Sequence, residues 1–163
     1  MSYGFQRKRC AGHEAAGMVK HFFPRAIALV IGCLLIVTAQ ASAADDRTEL
    51  TAFMNQSASD WNAGHLDAFM RGYENAPSTI YVGAKTIFHG YAAIRGHYAS
   101  HYGKTMGVLS FSDLTVRPLG ADYAAVVAHW HLAMTNGTHP TGIFSLVLHR
   151  VAGAWHIILD HSP

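Results

Sequence analysis

The chain has 163 residues, 50% of them hydrophobic, and a formal net charge of +2; this length favours a single domain. Residues 1–43 hold five of the twelve Lys and Arg residues but one of the ten Asp and Glu residues, so residues 44–163 carry a formal charge of −2. That charge excludes the basic surface typical of a nucleic-acid-binding protein. Both cysteines also precede residue 44, so the domain has no disulfide and no thiol nucleophile and depends on its hydrophobic core.

Residues 1–43 have the features of a secretory signal peptide. Basic residues precede an uncharged apolar run over residues 26–39, and the small-residue sequence Ala41-Ser42-Ala43 follows. The run is shorter than the roughly 20 apolar residues that a membrane-spanning helix needs. We therefore expect cleavage after Ala43, a periplasmic or secreted protein, and no membrane attachment after cleavage.

Two alternatives are open for this N-terminal segment. Val30-Ile31-Gly32-Cys33 resembles a bacterial lipobox, which would make Cys33 a lipidated N-terminus after processing. A start at Met18 would give a basic segment of ordinary length before the same apolar run. In either case the sequence predicts one domain over residues 44–163.

Two helices are predicted at the start of the domain. Asp46-x-x-Glu49 resembles a capping box and places a helix start there. Apolar residues then recur at helical spacing as far as Trp61, and Gly64 lies where a C-terminal cap is expected. A second helix is expected to end before Pro77. One face of this helix holds Leu66, Phe69, Met70 and Tyr73.

Short strands and a third helix are predicted next. Thr79–Val82 and Thr86–Phe88 have strand composition and flank a turn at Gly83-Ala84-Lys85. From Tyr91 the apolar period is helical again, and Gly103 lies where a cap is expected. The shared face of this helix holds Tyr91, Ile94, Tyr98 and Tyr102.

Four longer antiparallel strands are predicted after Gly107. The first two cover residues 108–117 and 122–134, and the last two form a closing hairpin within Thr141–Ser162. The hairpin is indicated by two apolar runs around the short Gly-containing connection Val151-Ala152-Gly153-Ala154. Helices on one face of an antiparallel sheet make an α+β domain.

Several segments of this domain are typical of one family. They are WNAGHLDAFM from Trp61, GYAAIR from Gly90, FSLVL from Phe144, and AWHI from Ala154 followed by Asp160-His161-Ser162. Together they resemble the SnoaL-like branch of the nuclear transport factor 2-like superfamily, which also contains ketosteroid isomerase. The resemblance implies a cystatin-like cone, in which a curved antiparallel sheet wraps around three helices. It also implies an apolar pocket at the open end and a homodimer formed through the outer face of the sheet.

Asp160 and His161 are the candidate catalytic residues. Neighbours on a strand point to opposite faces, and His161 has the parity of Trp155 and Leu159, so we expect His161 to face the core and the pocket. There it would act as a general acid or base near neutral pH. Asp160 would serve as a general base if burial raised its pKa, as the resemblance to ketosteroid isomerase implies. Alternatively, both residues cap the strand end and bond to loop backbone or to Arg95.

Two histidine pairs are considered as metal ligands. His129 and His131 share one face of a strand, which we assign to the outer face of the sheet, near His149. His97 and His101 share one face of the third helix. A metal site needs a third ligand and supporting hydrogen bonds, so we predict no metal and no cofactor, and expect the strand pair to form a solvated or dimer-interface patch.

Seven large aromatic residues are candidates for binding a flat apolar ligand. About half of them are expected to serve only the core. Ser145 lacks the Gly-x-Ser-x-Gly context of a serine hydrolase, and no dinucleotide or phosphate motif is present. The seven candidates are Trp61, Tyr73, Tyr81, Tyr98, Trp130, Phe144 and Trp155.

The sequence therefore favours an exported, homodimeric protein with a pocket for a small apolar or aromatic organic molecule. If it is an enzyme, the expected chemistry is cofactor-free proton transfer, as in an isomerase, dehydratase or cyclase. Asp160 or His161 would be the base, and a tyrosine such as Tyr81 or Tyr98 would polarise a carbonyl. The alternative is a non-catalytic module for ligand binding or association.

Overall fold

The computed structural model describes residues 45–102 and 106–163. The predicted signal peptide, its cleavage site and the alternative start lie outside the described residues. Within these two ranges, no helix is both long and apolar enough to cross a membrane. The helices are α1 over residues 45–62, α2 at Leu66–Met70 and α3 at Tyr91–Tyr102. The strands are β1 Ile80–Val82, β2 Ile87–His89, β3 Val108–Pro118, β4 Tyr123–Ala133, β5 Thr141–Val151 and β6 Ala154–His161.

The six strands form one curved sheet in the order β2-β1-β6-β5-β4-β3. Every neighbouring pair is antiparallel except β1 and β6, which are parallel. The core lies between the helices and one face of the sheet, and includes Leu50 from α1, Ile94 from α3 and Leu148 from β5, each with no exposed surface. The predicted α+β class, with three helices against a mainly antiparallel sheet, is confirmed.

The closing hairpin has the predicted position and turn. Val151 pairs with Ala154, and the two residues between them, Ala152 and Gly153, have φ values of 50° and 83°. Positive φ at both central residues is the requirement of a type I′ turn, whose twist matches that of the strands it joins.

Trp130 and Gly142 face each other across β4 and β5. A Cβ atom on Gly142 would lie 2.8 Å from Nε1 of Trp130 and 2.9 Å from two of its ring carbons. The indole ring therefore covers the glycine backbone, and a larger residue at position 142 would displace the ring.

The first helix joins the sheet through an ion-pair cluster. Residue 45 is already helical, and the carboxylate of Asp46 is buried and pairs with the guanidinium of Arg150 on β5. Glu49 Oε2 accepts hydrogen bonds from Arg150 Nη2 and from Trp155 Nε1, each at 2.9 Å. The capping-box interpretation of this motif was therefore wrong, because its two acids bind the hairpin.

The second helix is shorter than predicted. It ends at Met70, and Tyr73 forms an isolated parallel bridge with Ile157 on β6. The bridge consists of hydrogen bonds from the amide of Ile157 to Gly72 O at 2.7 Å and from the amide of Glu74 to Ile157 O at 2.9 Å. Tyr73 is thus placed by the sheet rather than by a helix face.

Candidate active site

A β-bulge in β6 determines which residues at its end face inward. Val147 pairs with Leu159 and Leu148 pairs with Ile157, so Ile158 is an extra residue on β6. The bulge shifts the inward parity by one residue. As a result Asp160 is 3% exposed and faces inward, whereas His161 is exposed. The prediction that His161 faces the core was wrong, because strict alternation does not hold across a bulge.

Asp160 lies against a cavity of about 440 Å³ between the helices and the sheet. The residues that β3, β4 and β5 contribute to the lining are all apolar, and include Phe111, Leu132 and Leu146. The polar lining comes mainly from β1, α3 and the end of β6. The cavity therefore has an apolar wall and an opposite wall with hydrogen-bonding groups, which suits a flat apolar molecule with polar substituents along one edge. The polar groups on that wall include Tyr81, His97, Tyr98, His101, Asp160 and Ser162.

Three hydroxyl groups surround the carboxyl group of Asp160. Tyr73 Oη lies 2.5 Å and Tyr98 Oη 3.4 Å from Asp160 Oδ2, and the two phenol oxygens are 2.9 Å apart. Ser162 Oγ lies 2.5 Å from Oδ1. The network continues to Tyr81, whose hydroxyl donates to the carbonyl oxygen of Ser162 at 3.3 Å.

Burial determines the acidity of these groups. It raises the pKa of Asp160 above the ordinary value of 3.8, although hydrogen bonds from Ser162, Tyr73 and Tyr98 oppose the shift. Burial also raises the pKa of Tyr73 and of Tyr98 well above 10.0, and the Asp160 charge adds to both shifts. The pKa of Tyr81 rises to about 12 for the same two reasons. The phenols therefore remain protonated donors, and the carboxyl group is the most acidic member of the network.

Solved structures share this architecture. The chain is similar to a nuclear transport factor 2-like protein of unknown function from Shewanella oneidensis, with 25% identity and a TM-score of 0.67 over 71% of this chain and 97% of that one. A nuclear transport factor 2-like superfamily protein from Salmonella enterica aligns with 21% identity and a TM-score of 0.61, over 70% of this chain and 87% of that one. The protein has the nuclear transport factor 2-like fold.

A third solved structure has the same fold, whereas comparisons with family models and with curated sequences found no match. A nuclear transport factor 2-like protein with a cystatin-like fold from Novosphingobium aromaticivorans aligns with 16% identity and a TM-score of 0.61, over 77% of this chain and 85% of that one. No protein-family model matches the chain, and no curated protein sequence matches it. The predicted cystatin-like cone is thereby confirmed at the level of the fold.

Six of the seven predicted aromatic residues line the cavity of this nuclear transport factor 2-like domain. Trp155 does not, because its ring lies under the guanidinium of Arg150, 4.3 Å from the ring centroid, and its indole N–H is bonded to Glu49. Its assignment to the ligand site was wrong. The six that line the cavity are Trp61, Tyr73, Tyr81, Tyr98, Trp130 and Phe144.

The strand histidines lie on the outer face of the sheet, as predicted. His129 Nδ1 is 3.2 Å from the carboxylate of Asp113, and His131 lies within hydrogen-bonding distance of Ser112 and Thr141. The expected neighbourhood with His149 was wrong, because the observed register pairs His149 with Tyr123 at the other end of β4. Among the described residues, no group of three or more His, Cys, Asp or Glu side chains could hold a metal ion.

The sequence did not identify His97, His101 or Ser162 as cavity residues. His97 and His101 share a face of α3, as predicted, and that face also borders the cavity. The ring of His97 stacks on Phe88 with centroids 4.5 Å apart, and burial lowers the pKa of His97. The available signal was the helical spacing of His97 and His101 beside Tyr98. From the sequence, these two histidines were considered only as metal ligands.

Proposed function

We propose that this protein binds a flat, apolar carbonyl compound and catalyses cofactor-free proton transfer at a carbon next to the carbonyl. The reaction class is isomerisation, dehydration or cyclisation. One observation supports the proposal most directly: a buried carboxyl group with a raised pKa, bonded to two phenols, lies against an apolar cavity large enough for a small organic ligand.

The carboxylate of Asp160 is the proposed base. Its desolvation makes it a stronger base than an exposed aspartate, which brings its pKa closer to neutral pH. It takes the proton from the carbon, and the electron pair of the broken C–H bond moves to the carbonyl oxygen to form an enolate. Where a carbon–carbon double bond adjoins the enolate, the carboxyl group returns the proton to the far carbon of that bond, the double bond shifts into conjugation and the carbonyl re-forms, which completes an isomerisation without any co-reactant.

The phenols respond to the charge on Asp160. When Asp160 is ionised, the hydroxyl of Tyr73 donates to Oδ2 and that of Tyr98 donates to the Tyr73 oxygen or to Oδ2. When Asp160 is protonated, it can donate to Tyr73, which can then donate to Tyr98. The hydroxyl proton of Tyr98 is then free for the ligand. Proton uptake by the base would therefore release a donor for the enolate oxygen as negative charge develops there.

The test is hydrogen–deuterium exchange at the carbon next to the carbonyl of 1-tetralone, a flat bicyclic ketone, followed by ¹H NMR in D₂O. The wild type should accelerate the exchange, and Asp160→Asn should lower the rate by at least about 100-fold, the usual contribution of a positioned general base. Asp122→Asn is the matched control, because Asp122 is an exposed acid in the turn before β4 and should leave the rate unchanged. Equal exchange by wild type and Asp160→Asn would contradict the proposed role.

One observation favours the alternative of a non-catalytic binding module. With Asp160 ionised, the hydroxyls of Tyr73 and Ser162 donate to its carboxylate, and that of Tyr98 donates to the Tyr73 oxygen or to the carboxylate, so that state of the network has no donor to offer a ligand. In this case the wild type and Asp160→Asn would both bind 1-tetralone, as measured by the quenching of tryptophan fluorescence, and neither would accelerate exchange.

We also propose that the protein belongs to the SnoaL-like branch and forms a homodimer through the outer face of its sheet. On that face Val127 is 42% exposed and Ile143 is 55% exposed, on the neighbouring strands β4 and β5. A second copy would cover these side chains. Light scattering should give twice the monomer mass for the wild type and the monomer mass for Ile143→Asp, and a monomeric wild type would contradict the proposal.

Export through the N-terminal segment is a further proposal, supported by the basic region, apolar run and small-residue site of residues 1–43. Expression of the full chain in a Gram-negative host should release the protein from the periplasm with Ala44 as its first residue. Recovery in the cytoplasm with residues 1–43 intact would contradict it.

A further inference from the structure

His97 and His101 form a pair of neighbouring imidazoles at the border of the cavity. They lie one helical turn apart on α3, their ring centroids are 4.4 Å apart, and both rings line the cavity. The proton-transfer chemistry proposed for Asp160 uses neither of them. What the pair can bind depends on which ring nitrogen of each histidine carries the proton.

The surroundings of His101 place its proton on Nδ1. This nitrogen lies 3.0 Å from the carbonyl oxygen of His97 and 3.0 Å from Ser100 Oγ. The carbonyl oxygen can only accept, and Ser100 already donates its own hydroxyl proton to that oxygen at 2.9 Å. A lone pair on Nδ1 would therefore face two acceptors. An N–H at Nδ1 could instead donate to either the His97 carbonyl oxygen or Ser100 Oγ. In the neutral ring, Nε2 of His101 then carries the lone pair.

The surroundings of His97 lead to the opposite tautomer. Its Nδ1 is buried and has no hydrogen-bond partner among the described residues. A proton on Nδ1 would be a buried donor with no acceptor, which is the more costly arrangement. Burial and the neighbouring His101 also disfavour the doubly protonated ring. The neutral ring therefore carries its proton on Nε2.

We propose that His97 and His101 together bind a hydroxyl group of the ligand, with His97 Nε2–H as the donor and His101 Nε2 as the acceptor. A hydroxyl satisfies both, because it offers a lone pair to one ring and a proton to the other. A carboxylate or an ether would leave the His101 lone pair without a donor. The inference rests on the proposed function and deepens it by naming the substrate class: flat apolar ketones that carry a hydroxyl group away from the carbonyl.

Phe88 packs against one ring of the histidine pair, and the pair adjoins the phenol network. Phe88 stacks on the ring of His97, with an interplanar angle of 28°. The ring centroid of Tyr81 is 5.1 Å from that of His97 and 5.8 Å from that of Tyr98, and the centroids of His97 and Tyr98 are 5.6 Å apart, so the three rings contact one another. A ligand in this cavity therefore has the phenol network and the imidazole pair as neighbouring polar groups on one wall.

The experiment compares the binding of 1-tetralone with that of 5-, 6- and 7-hydroxy-1-tetralone, by NMR titration of the full domain. For the wild type, at least one hydroxylated ketone should bind about three- to tenfold more tightly than 1-tetralone, the effect of one or two net hydrogen bonds. His97→Phe and His101→Phe keep a ring at each position and should lose this gain, so that each variant binds the hydroxylated ketone no more tightly than it binds 1-tetralone. His139→Phe, at an exposed loop position, should keep the gain.

The outcomes separate this inference from the proposed function. If 1-tetralone binds and undergoes exchange but the hydroxyl gain is absent from the wild type or persists in both variants, the histidine proposal is overturned and the proposed function stands. If none of the four ketones binds to the wild type, the proposed function fails. Long-range ¹H–¹⁵N correlation spectra provide a ligand-free test. They should show Nε2–H for His97 and Nδ1–H for His101, and the reverse assignment would refute the proposal.

Discussion

Ionisation of Asp160 is expected to destabilise the folded protein. The carboxyl group is 3% exposed, and burial raises its pKa despite the hydrogen bonds that it receives from Tyr73 and Ser162. Asp160→Asn removes the titration and keeps the shape. The amide oxygen can accept from Tyr73, and the amide nitrogen can donate to the hydroxyl oxygen of Ser162. A comparison of the wild type with this variant therefore isolates the free energy of ionising the carboxyl group.

The sign and size of the effect follow from proton linkage. Between the ordinary pKa of 3.8 and the higher pKa of the folded state, the folded protein retains a proton that the unfolded chain has lost. Its free energy of unfolding therefore falls as pH rises, by at most about 1.4 kcal/mol per pH unit. This contribution is fully present below the unfolded pKa and is lost once pH exceeds the folded pKa. The wild type should thus lose stability relative to Asp160→Asn across that window.

The assay is urea denaturation of both proteins from pH 4 to pH 8, followed by tryptophan fluorescence. The difference in the free energy of unfolding, wild type minus variant, cancels the titration of other groups to a first approximation. It should decrease with pH and then level off above the folded pKa. A difference that increases with pH would refute the reasoning, because it would show that the three hydroxyl groups stabilise the carboxylate by more than burial disfavours it.

Three further substitutions test local contacts and backbone conformation in the fold. Gly142→Ala should cost about 1–3 kcal/mol in thermal denaturation, because the added methyl group overlaps the ring of Trp130. Gly153→Ala should cost about 1 kcal/mol, because its φ of 83° is strained for alanine although no atom lies within 4 Å of the added carbon. Asn62→Ala should cost about 1–2 kcal/mol, because Asn62 donates to and accepts from the backbone of Leu109 at 3.0 and 2.6 Å. A change below about 0.3 kcal/mol in any of the three would contradict the contact or the backbone strain invoked for it.

Local patterns were enough to predict the regular elements of the fold. Apolar periodicity and turn residues predicted the three helices and six strands seen in residues 45–102 and 106–163, with strand ends within one or two residues of those observed. Gly153 is a clear case, because a two-residue turn with positive φ requires a residue of this kind whatever the tertiary structure. The parallel pairing of β1 with β6 follows from how distant segments meet, and no local pattern carries that information.

The candidate site was only partly predictable for the same reason. Asp160 was named from the resemblance, and six of the seven aromatic residues named from the sequence line the cavity. Trp155 was misplaced because parity along a strand identifies the inward face but not the position along the core, and its end of the sheet packs against α1 through Glu49. His161 was misplaced because an extra residue in β6 reverses parity. Such a bulge depends on the partner strand and has no sequence signal of its own.

The site therefore depends on two irregularities that meet at β6. The early end of α2 lets Tyr73 bridge to Ile157, and the extra residue that directly follows Ile157 turns Asp160 toward the cavity. If α2 continued past Met70, the phenol of Tyr73 would lie on a helix face. If β6 had no extra residue, His161 would face inward and Asp160 outward. Each irregularity interrupts a regular helix or strand, and together they place Tyr73 and Asp160 in one hydrogen-bonded group. Departures from regular structure that meet at one buried group are typical of functional sites, and this argument is independent of the resemblance.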